Sequence, residues 1–502
     1  MVSLRSLCVP PSARPVAGLL TLPLGLALAL TGCGDDSDTT AASATESTSG
    51  TTGGESTGTE STGADTDTDT DTDTGTGTDS DTGGMLNDFP VGGCGLPEYP
   101  LVDAAGMGEI VEYQELFTFS ADDLNTLLTD QGFAALTPVE SGATLFLVRY
   151  VTQDRGEALE ATGYIAVPTD LAGPLPVGVW LHGTTGFNDA CGPTADSQQG
   201  FIPMMMAGLG LITVAPDYIG LNGWGSPSGR LHPYVIAEPT AIASLDSIRA
   251  LHRFAGGEGP DIGGISPNGQ TLLWGASEGG FAALWADRYA PHYAPELDIT
   301  AVIAGVPPTD PFALVQYAVS DINPATGAFA AALGSSHDWY GLAEPLSEVF
   351  ESPWDGQVMD ILQNGCSYSQ FDGISDVGEV YTQWLRDGAA AGEPDDLGAW
   401  GCMLERAGLR DPTIERLTDT PVLVTLGELD DLVYTPTVKD DIPRLCDLGY
   451  DMEVVECAGA GHADGVIFSL TYQRDWAFAI LDGGSLGGET CVLNGPVDCA
   501  TL

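Results

Sequence analysis

The feature that most constrains the fold is the segment 272–280, in which an apolar run leads into Gly-Ala-Ser-Glu-Gly and then into a helical pattern. This pattern predicts a buried strand that turns sharply into a helix, with Ser277 exposed at the turn. Glycine is required two residues before and after this serine, because the turn brings those positions together and side chains there would collide. The same Gly-x-Ser-x-Gly pattern recurs around Ser56 and Ser485 in a chain with 66 glycines. Ser277 alone has both the strand and the helix, so it is the candidate nucleophile.

Apolar runs of strand length alternate with helical patterns through most of residues 140–310. Two early runs predict antiparallel strands, at residues 144–151 and 162–167. Later runs predict buried parallel strands, at residues 177–181, 211–215, 271–274, 299–304, 422–426 and 452–456. The alternation predicts an α/β fold in which helices cover both faces of a mostly parallel sheet.

Residues 311 to about 416 interrupt this alternation, because they hold helical patterns and no convincing strand. Four of the nine tryptophans lie there: Trp339, Trp354, Trp384 and Trp400. An insertion at this point follows a strand's carboxyl end, at the edge where open α/β sheets bind ligands. We therefore expect a helical cap over that edge that meets an apolar substrate. A separate helical domain with its own core is the alternative.

A serine hydroxyl is a poor nucleophile unless a base accepts its proton and a third group holds that base. Among the six histidines, the candidate base is His462, which lies in a glycine-rich loop directly after the last apolar strand. The candidate acid is Asp430, at the end of a strand and 32 residues before the histidine. Its rivals are Asp431, Glu428 and Asp464. The chain order Ser277, Asp430, His462 is that of α/β-hydrolases.

Negative charge that develops on an attacked carbonyl oxygen requires preorganised N–H donors. The first predicted donor is the backbone N–H of Glu278, at the positive end of the helix that follows Ser277. The second is expected from the loop 182–186, His-Gly-Thr-Thr-Gly, which directly follows a predicted strand. By position, the Thr185 N–H is favoured and that of Thr184 is close behind. His182 is interpreted as structural.

Several motifs occur in order along the chain: Trp-Leu-His-Gly-Thr-Thr-Gly at 180–186, Cys-Gly-Pro at 191–193, Ala-Pro-Asp-Tyr-Ile-Gly-Leu at 215–221, His-Pro-Tyr at 232–234 and Ser-Leu-Asp-Ser-Ile-Arg-Ala at 244–250. With this combination, residues 105–485 resemble the secretory lipase (lipase A-like) branch of the α/β-hydrolases. The resemblance implies an esterase or lipase with a helical lid, an ester or lipid substrate and no cofactor. Glu278 departs from the pattern, since relatives more often carry Gln or Gly. We expect its side chain to point outward; the alternative is that it repels the developing charge.

The first 33 residues predict a signal peptide. Arg5 and Arg14 accompany an apolar run at 16–30, which is too short to cross a bilayer as a helix. The ending Leu-Thr-Gly-Cys at 30–33 resembles the lipobox of bacterial lipoproteins, in which the cysteine is lipidated and becomes the mature N-terminus. We therefore expect an exported protein anchored through lipidated Cys33 to a membrane of the cell envelope, the outer membrane being favoured. Ordinary secretory cleavage nearby is the alternative.

Residues 34–84 consist almost wholly of Asp, Glu, Ser, Thr and Gly, so they bury too little apolar surface to fold and are predicted to form a flexible tether. Calcium binding by the Thr-Asp repeats is a weaker alternative, because nothing fixes a ligand set. Residues 85–502 form the predicted hydrolase domain. The chain carries 71 acidic and 15 basic residues, a net charge of −56. This charge repels phosphate backbones and excludes nucleic acid as a partner.

Eight cysteines follow Cys33, and an even number in an exported chain favours disulfides. Close spacing suggests Cys366–Cys402, Cys446–Cys457 and Cys491–Cys499, although sequence leaves the connectivity open. No Cys-x-x-Cys spacing typical of zinc occurs, and the sequence predicts neither a metal nor a cofactor.

Two other functions fit parts of this pattern. A serine peptidase of the prolyl oligopeptidase type would normally need an additional domain for peptide entry, and an insertion of about 100 residues leaves little room for a propeller. A non-catalytic surface protein on a hydrolase scaffold would usually have lost a member of the triad. A serine ester hydrolase is therefore the leading interpretation, while acyl chain length, alcohol preference and oligomeric state cannot be read from the sequence.

Overall fold

The computed structural model describes residues 88–89, 99–136, 138–371, 373–410, 414–484 and 488–502. The predicted signal peptide, the lipidation site Cys33 and the tether at 34–84 lie outside the described residues. A short pair of antiparallel strands, β1 (Asp88–Phe89) and β2 (Tyr99–Pro100), precedes the main body.

A nine-stranded sheet forms the centre of the molecule. Its strands are β3 (Ile110–Phe119), β4 (Ala143–Asp154), β5 (Glu157–Pro168), β6 (Pro174–Leu181), β7 (Ile212–Pro216), β8 (Ser266–Ala276), β9 (Ile299–Gly305), β10 (Pro421–Gly427) and β11 (Asp451–Cys457). They lie in the order β11-β10-β9-β8-β6-β7-β5-β4-β3. Strands β6 to β11 pair in parallel, while β3, β4 and β5 pair antiparallel. The predicted mostly parallel α/β sheet is confirmed, and each predicted strand overlaps an observed one.

The edge strand β3 was missed by the sequence analysis. It is paired on one side only, and most of its residues are exposed or half-buried. Its register against β4 shifts between Ile110 and Glu112 and again between Glu115 and Phe117. A strand that is exposed and irregular shows neither a continuous apolar run nor a clean alternation of apolar and polar residues. The sequence of β3 therefore does not predict a strand.

Helices cover both faces of the sheet. They are α1 (Ala121–Asp130), α2 (Phe201–Gly208), α3 (Ala237–Arg253), α4 (Glu278–Tyr293), α5 (Pro311–Ala318), α6 (Ala325–Tyr340), α7 (Trp354–Asn364), α8 (Gln383–Ala391), α9 (Gly398–Ala407), α10 (Thr435–Asp447), α11 (His462–Ile467) and α12 (Leu470–Leu481). Along β8, Leu273 packs into the core shared with α3 and α4, whereas Leu272 and Trp274 pack into the core shared with α1, α2 and α12. Successive strand residues point to opposite faces, so these are two layers. In the part of the chain described, no helix combines the length and the apolarity needed to cross a membrane.

The predicted insertion between β9 and β10 is helical. Helices α5 to α9 lie in it, and its described residues form one isolated β-bridge, between Phe350 and Tyr381. Its buried apolar side chains belong to the same hydrophobic cluster as those of α3 and α4. A disulfide, Cys191–Cys366, joins it to the loop after β6, and the Asn188 side-chain amide there donates to the carbonyl oxygens of Leu362 and Gly365 at 3.0 Å.

The three disulfide pairs suggested by close spacing are wrong. The observed pairs are Cys191–Cys366, Cys446–Cys491 and Cys457–Cys499. Cys402 is also disulfide-bonded, and Cys94 lies outside the described residues. For Cys446–Cys457 and Cys491–Cys499, the reason lies in the C-terminal segment, which runs beside β11 and forms bridges from Glu453 to Thr490 and from Cys457 to Val497. This pairing brings distant cysteines together, while neighbours in sequence stay apart. Cys366 is instead paired with Cys191 in the loop after β6.

Candidate active site

Ser277 lies at the turn between β8 and α4. Its backbone has a positive φ of 58° with ψ at −121°, a conformation that is rare and strained for a residue with a side chain. A Cβ atom added to Gly275 would lie 2.0 Å from the carbonyl oxygen of Gly279, and one added to Gly279 would lie 1.8 Å from that of Leu181. Both glycines are therefore required by close backbone contacts, which is the physical reason given for them from the sequence.

The structure brings the three predicted triad residues together. Asp430 follows β10, and His462 begins α11 shortly after β11. Because β8, β10 and β11 are parallel, their carboxyl ends meet at one edge of the sheet. His462 Nε2 lies 2.9 Å from Ser277 Oγ, and His462 Nδ1 lies 2.7 Å from Asp430 Oδ2. A continuous hydrogen-bonded chain thus runs from the hydroxyl to the carboxylate.

The Asp430 carboxylate is held firmly in this chain. Its side chain is almost fully buried, and its Oδ1 accepts hydrogen bonds from the backbone N–H groups of Leu432 and Val433, each at 3.0 Å. An ionised carboxylate only accepts hydrogen bonds, so His462 Nδ1 must carry a proton. In the neutral ring, this leaves the lone pair of Nε2 directed at the hydroxyl of Ser277.

The three rival acids are placed elsewhere. Asp431 and Asp464 are exposed. Glu428 is also exposed, and its Oε2 accepts a hydrogen bond from the backbone N–H of Gly459 at 2.7 Å. Of the four candidate acids, Asp430 is the one that contacts His462.

His182 is buried directly after β6 and takes part in neither hydrogen bond of the triad. Its Nδ1 lies 2.7 Å from the carbonyl oxygen of Gly183, and its ring packs against Tyr218 with 4.3 Å between centroids. Burial lowers the pKa of His182, so the ring is held neutral near pH 7. These contacts fit a structural role.

The candidate oxyanion donors lie around the same serine. Glu278 is the first residue of α4, so its N–H has no partner within the helix. A Cβ atom added to Gly183 would lie 3.5 Å from Ser277 Cβ, which places the loop that carries Thr184 and Thr185 against the turn. Thr184 lines the same cavity as Ser277, and its hydroxyl bonds to that of Tyr234 at 3.0 Å. The Thr185 hydroxyl is buried and has no partner among the described residues.

The outward orientation expected for Glu278 is wrong. Its side chain is only 1% exposed, and its Oε1 lies 2.6 Å from Nε2 of His232, which is fully buried. The reason is that the loop between β7 and α3, which carries His232, packs over the first turn of α4. His232 was missed as a site residue, although it lies in the His-Pro-Tyr motif noted in the sequence.

An apolar cavity adjoins the serine. Its empty volume is about 640 Å³, a figure that includes space open to solvent. Ser277, Glu278 and Thr184 contribute to its lining, as do Leu432 and Val433 from the loop that carries Asp430. Most of the remaining wall comes from the helical insertion. Four residues on one face of helix α6 line the cavity: Ala325, Ala328, Phe329 and Ala332.

Comparisons with known proteins place this chain in a family. Lipase 6 of Candida albicans is 37% identical over 91 residues, which are 18% of this chain and 16% of the relative. A Mycobacterium tuberculosis protein named a probable inactive lipase is 36% identical over 137 residues, 26% of each chain. This chain therefore aligns with at most about a quarter of the length of these two relatives.

Among solved structures, the rice cell wall degrading esterase LipA from Xanthomonas oryzae has a TM-score of 0.61 with 18% identity, over 76% of this chain and 98% of that one. At this identity, the likeness shows a shared fold. A family model for secretory lipases matches residues 198–483, more than half of the chain. The matched region includes Ser277, Asp430 and His462. The chain belongs to the secretory lipase family.

Proposed function

We propose that the protein is an exported serine hydrolase that cleaves carboxylic esters, with Ser277 as nucleophile, His462 as base and Asp430 as the acid that orients it. The observation that supports this most directly is the unbroken hydrogen-bonded chain of these three side chains, with spacings of 2.9 and 2.7 Å. Both distances lie within the reach required for proton transfer and for orientation of the base.

The first half of the reaction acylates the serine. Ser277 Oγ attacks the ester carbonyl carbon while His462 Nε2 accepts the hydroxyl proton. Asp430 stabilises the imidazolium that forms and holds its orientation. When the tetrahedral intermediate collapses, the bond to the alcohol oxygen breaks and His462 returns the proton to that oxygen. The alcohol leaves, and the acyl group stays on Ser277.

The second half releases the acid. A water molecule gives its proton to His462 as its oxygen attacks the acyl carbon, and collapse of the second intermediate returns the proton to Ser277 Oγ. In both intermediates, the carbonyl oxygen carries negative charge. The backbone N–H of Glu278 and that of Thr185 or Thr184 are the donors suited to stabilise it, and each such donor is worth about 3 kcal/mol in related sites.

The apolar cavity is suited to the acyl chain of the substrate. Its lining is dominated by Ala, Leu, Val, Pro and Phe side chains of the helical insertion and of the loop after Asp430. Burial of an alkyl chain stabilises the complex by about 0.8 kcal/mol for each methylene group removed from water. An ester of an aliphatic acid therefore fits this site better than a charged or strongly polar substrate.

Two alternative functions have less support. One relative is named a probable inactive lipase, but in this chain Ser277, His462 and Asp430 are all present and joined by hydrogen bonds. A peptidase of the prolyl oligopeptidase type would have a propeller. The described strands instead belong to one nine-stranded sheet and one two-residue pair.

Export and lipid anchoring remain predictions from the N-terminal sequence. Export is supported by the family and by the three described disulfides, since such bonds persist in oxidising compartments. Anchoring through Cys33 rests on the lipobox alone. It would hold the site outside the cytoplasm, where its ester substrate must also be found.

The proposal is tested by treating the purified full-length protein with a fluorophosphonate, which reacts with activated serines, and by assaying p-nitrophenyl esters of two to sixteen carbons. We expect stoichiometric labelling, a labelled peptide that contains Ser277, and loss of ester hydrolysis in proportion to labelling. Label on another serine, or full hydrolysis by fully labelled protein, would refute the assignment. Faster cleavage of prolyl amides than of esters would favour the peptidase.

The alanine stripe on α6 predicts how chain length is selected. Ala332→Trp places an indole where the acyl chain is expected, because Ala332 lines the cavity and is only partly buried. We expect kcat/KM for esters of twelve to sixteen carbons to fall by about tenfold or more, while esters of two to four carbons stay within about twofold. Ala390→Trp, on the exposed side of α8, is the matched control. An equal loss for short and long esters in Ala332→Trp would contradict this use of the cavity.

A further inference from the structure

The carboxyl group of Glu278 lies buried one residue after the nucleophile. Its side chain is 1% exposed, that of His232 is 0% exposed, and Glu278 Oε1 lies 2.6 Å from His232 Nε2. The backbone N–H of the same glutamate is the first candidate oxyanion donor. Since a glutamate carboxyl lies within about 5 Å of its own backbone nitrogen, any net charge there acts on the charge that develops during the reaction.

The hydrogen bonds of His232 fix how many protons the pair holds. His232 Nδ1 lies 2.8 Å from the carbonyl oxygen of Ile219, which only accepts, so Nδ1 carries a proton. Nε2 and the carboxyl oxygen then need one further proton between them, because a lone pair and a carboxylate 2.6 Å apart would repel each other. Imidazolium with carboxylate and imidazole with carboxylic acid both satisfy this condition. In either form the pair is neutral.

The other titratable groups around Glu278 do not compensate its charge. Burial raises the pKa of Tyr218 and Tyr234 well above the usual phenol value, and the charge of Glu278 adds to the rise. Burial lowers the pKa of His182. The charge of Glu278 raises that pKa in part, and His232 lowers it further. These three groups are neutral near pH 7, and His462 faces the turn across Ser277. Within the described ranges, His232 is the side chain that forms a hydrogen bond with the carboxyl group of Glu278.

The pair also connects the turn to the helical insertion. The carbonyl oxygen of His232 accepts a hydrogen bond from the hydroxyl of Ser335 in α6, and the same hydroxyl accepts one from the N–H of Tyr234. The imidazole is stacked on the ring of Tyr218, with 12° between planes. Contacts with Ile219, Ser335 and Tyr218 thus hold His232 in place. The hydrogen bond from His232 to Glu278 in turn holds the first turn of α4.

We propose that Glu278 and His232 are a positioning pair whose one shared proton keeps the first turn of α4 neutral, and that loss of this proton at alkaline pH lowers the rate of ester hydrolysis. The inference rests on the proposed function, since it concerns the charge on the same intermediate. Loss of the proton leaves one uncompensated negative charge beside the oxyanion donors. Loss of the proton also leaves the lone pair of His232 Nε2 facing the carboxylate of Glu278. The two repel each other, and this repulsion displaces the first turn of α4.

The variant Glu278→Gln tests this directly. A glutamine amide donates a hydrogen bond to neutral His232, so the contact stays and the titration is removed. For the full-length wild type, kcat/KM for a short p-nitrophenyl ester is expected to fall by about tenfold or more from pH 7.5 towards about pH 10. For Glu278→Gln, we expect the fall from pH 7.5 to about pH 10 to shrink to about twofold, with each rate expressed relative to the variant's own value at pH 7.5. Enzyme preincubated at each pH and returned to pH 7.5 must regain full activity.

His232→Phe provides the second arm. It keeps a ring beside Tyr218 but leaves Glu278 without a proton partner, so kcat/KM at pH 8 is expected to fall by about tenfold or more. Adding Glu278→Gln to this variant removes the charge and should recover most of the loss. If His232→Phe does not fold, the pH dependence of Glu278→Gln alone tests the role of the pair. Glu238→Gln, which removes a buried carboxylate paired with Arg406 at 3.0 Å, is the control for general destabilisation and should keep the alkaline fall.

The possible results separate the two proposals. An unchanged alkaline fall in Glu278→Gln, or no alkaline fall in wild type, with hydrolysis that still depends on Ser277, would overturn the role of the pair and leave the proposed function standing. Hydrolysis that does not depend on Ser277 would overturn the proposed function and this role with it. A fall that disappears in Glu278→Gln and persists in Glu238→Gln would support the pair.

Discussion

Ser277→Ala is expected to lower kcat for p-nitrophenyl ester hydrolysis by about 10⁶-fold, the loss seen when a triad nucleophile is removed. Alanine has no Oγ to attack the carbonyl, and His462 is then left without a group to activate except water. The backbone donors of Glu278 and the Thr184–Thr185 loop stay in place, so a residual advantage of about 10³- to 10⁴-fold over water is expected. Steady-state rates, corrected for wild-type contamination by active-site titration, measure the effect.

Ser485→Ala is the matched control for that prediction. Ser485 stands in the same Gly-x-Ser-x-Gly pattern, but no apolar strand precedes it and no helical pattern follows. Its replacement should leave kcat within about twofold. Ser277→Ala should keep the wild-type Tm within a few degrees, because the contacts that require Gly275 and Gly279 are made by the backbone. Equal rates for Ser277→Ala and wild type would rule out Ser277 as the nucleophile.

The strands that carry the site could be predicted because they are buried on both faces. Strands β6, β8, β9 and β10 place side chains in both cores, so each shows a largely apolar run. The edge strand β11 also reaches both cores, although Glu453 and Glu456 interrupt its apolar run. The candidate residues could also be chosen, since Ser277, Asp430 and His462 each follow the end of such a strand. The sequence alone did not predict that these three residues lie next to one another. It depends on the strand order β11-β10-β9-β8, which sets the three loops at one edge.

The contacts that were missed all join segments distant in sequence. Glu278 and His232 are 46 residues apart, and the Cys191–Cys366 disulfide spans 175 residues. Local propensity places Glu278 on an exposed first turn, where the helix dipole favours an acid. That expectation is wrong because the loop before α3 covers the first turn of α4. Packing by a loop leaves no periodic pattern of apolar residues in the sequence, so it could not be predicted. If the pair has the role proposed above, His232 is what makes an acidic residue at position 278 compatible with catalysis.

Asp430→Asn is expected to lower kcat by about 10⁴-fold, with a much smaller change in KM. An asparagine amide keeps the size of the side chain but can present its NH₂ group to His462 Nδ1. The ring would then carry its proton on Nε2 and direct an N–H, not a lone pair, at Ser277 Oγ. The Leu432 and Val433 N–H groups, both 3.0 Å from Oδ1, favour this orientation because they hold the acceptor oxygen on their side. Initial rates over a range of ester concentrations, which give kcat and KM separately, measure the effect.

Asp431→Asn is the matched control, since Asp431 is the adjacent acid and is exposed to solvent. It removes one negative charge near the site without touching His462, so kcat should stay within about twofold. A second comparison is Glu428→Gln, which loses part of the contact to the Gly459 N–H and should affect stability more than rate. If Asp431→Asn were as damaging as Asp430→Asn, long-range charge and not orientation of the imidazole would govern the rate. A loss in Asp430→Asn alone requires direct contact with His462, which the 2.7 Å hydrogen bond provides.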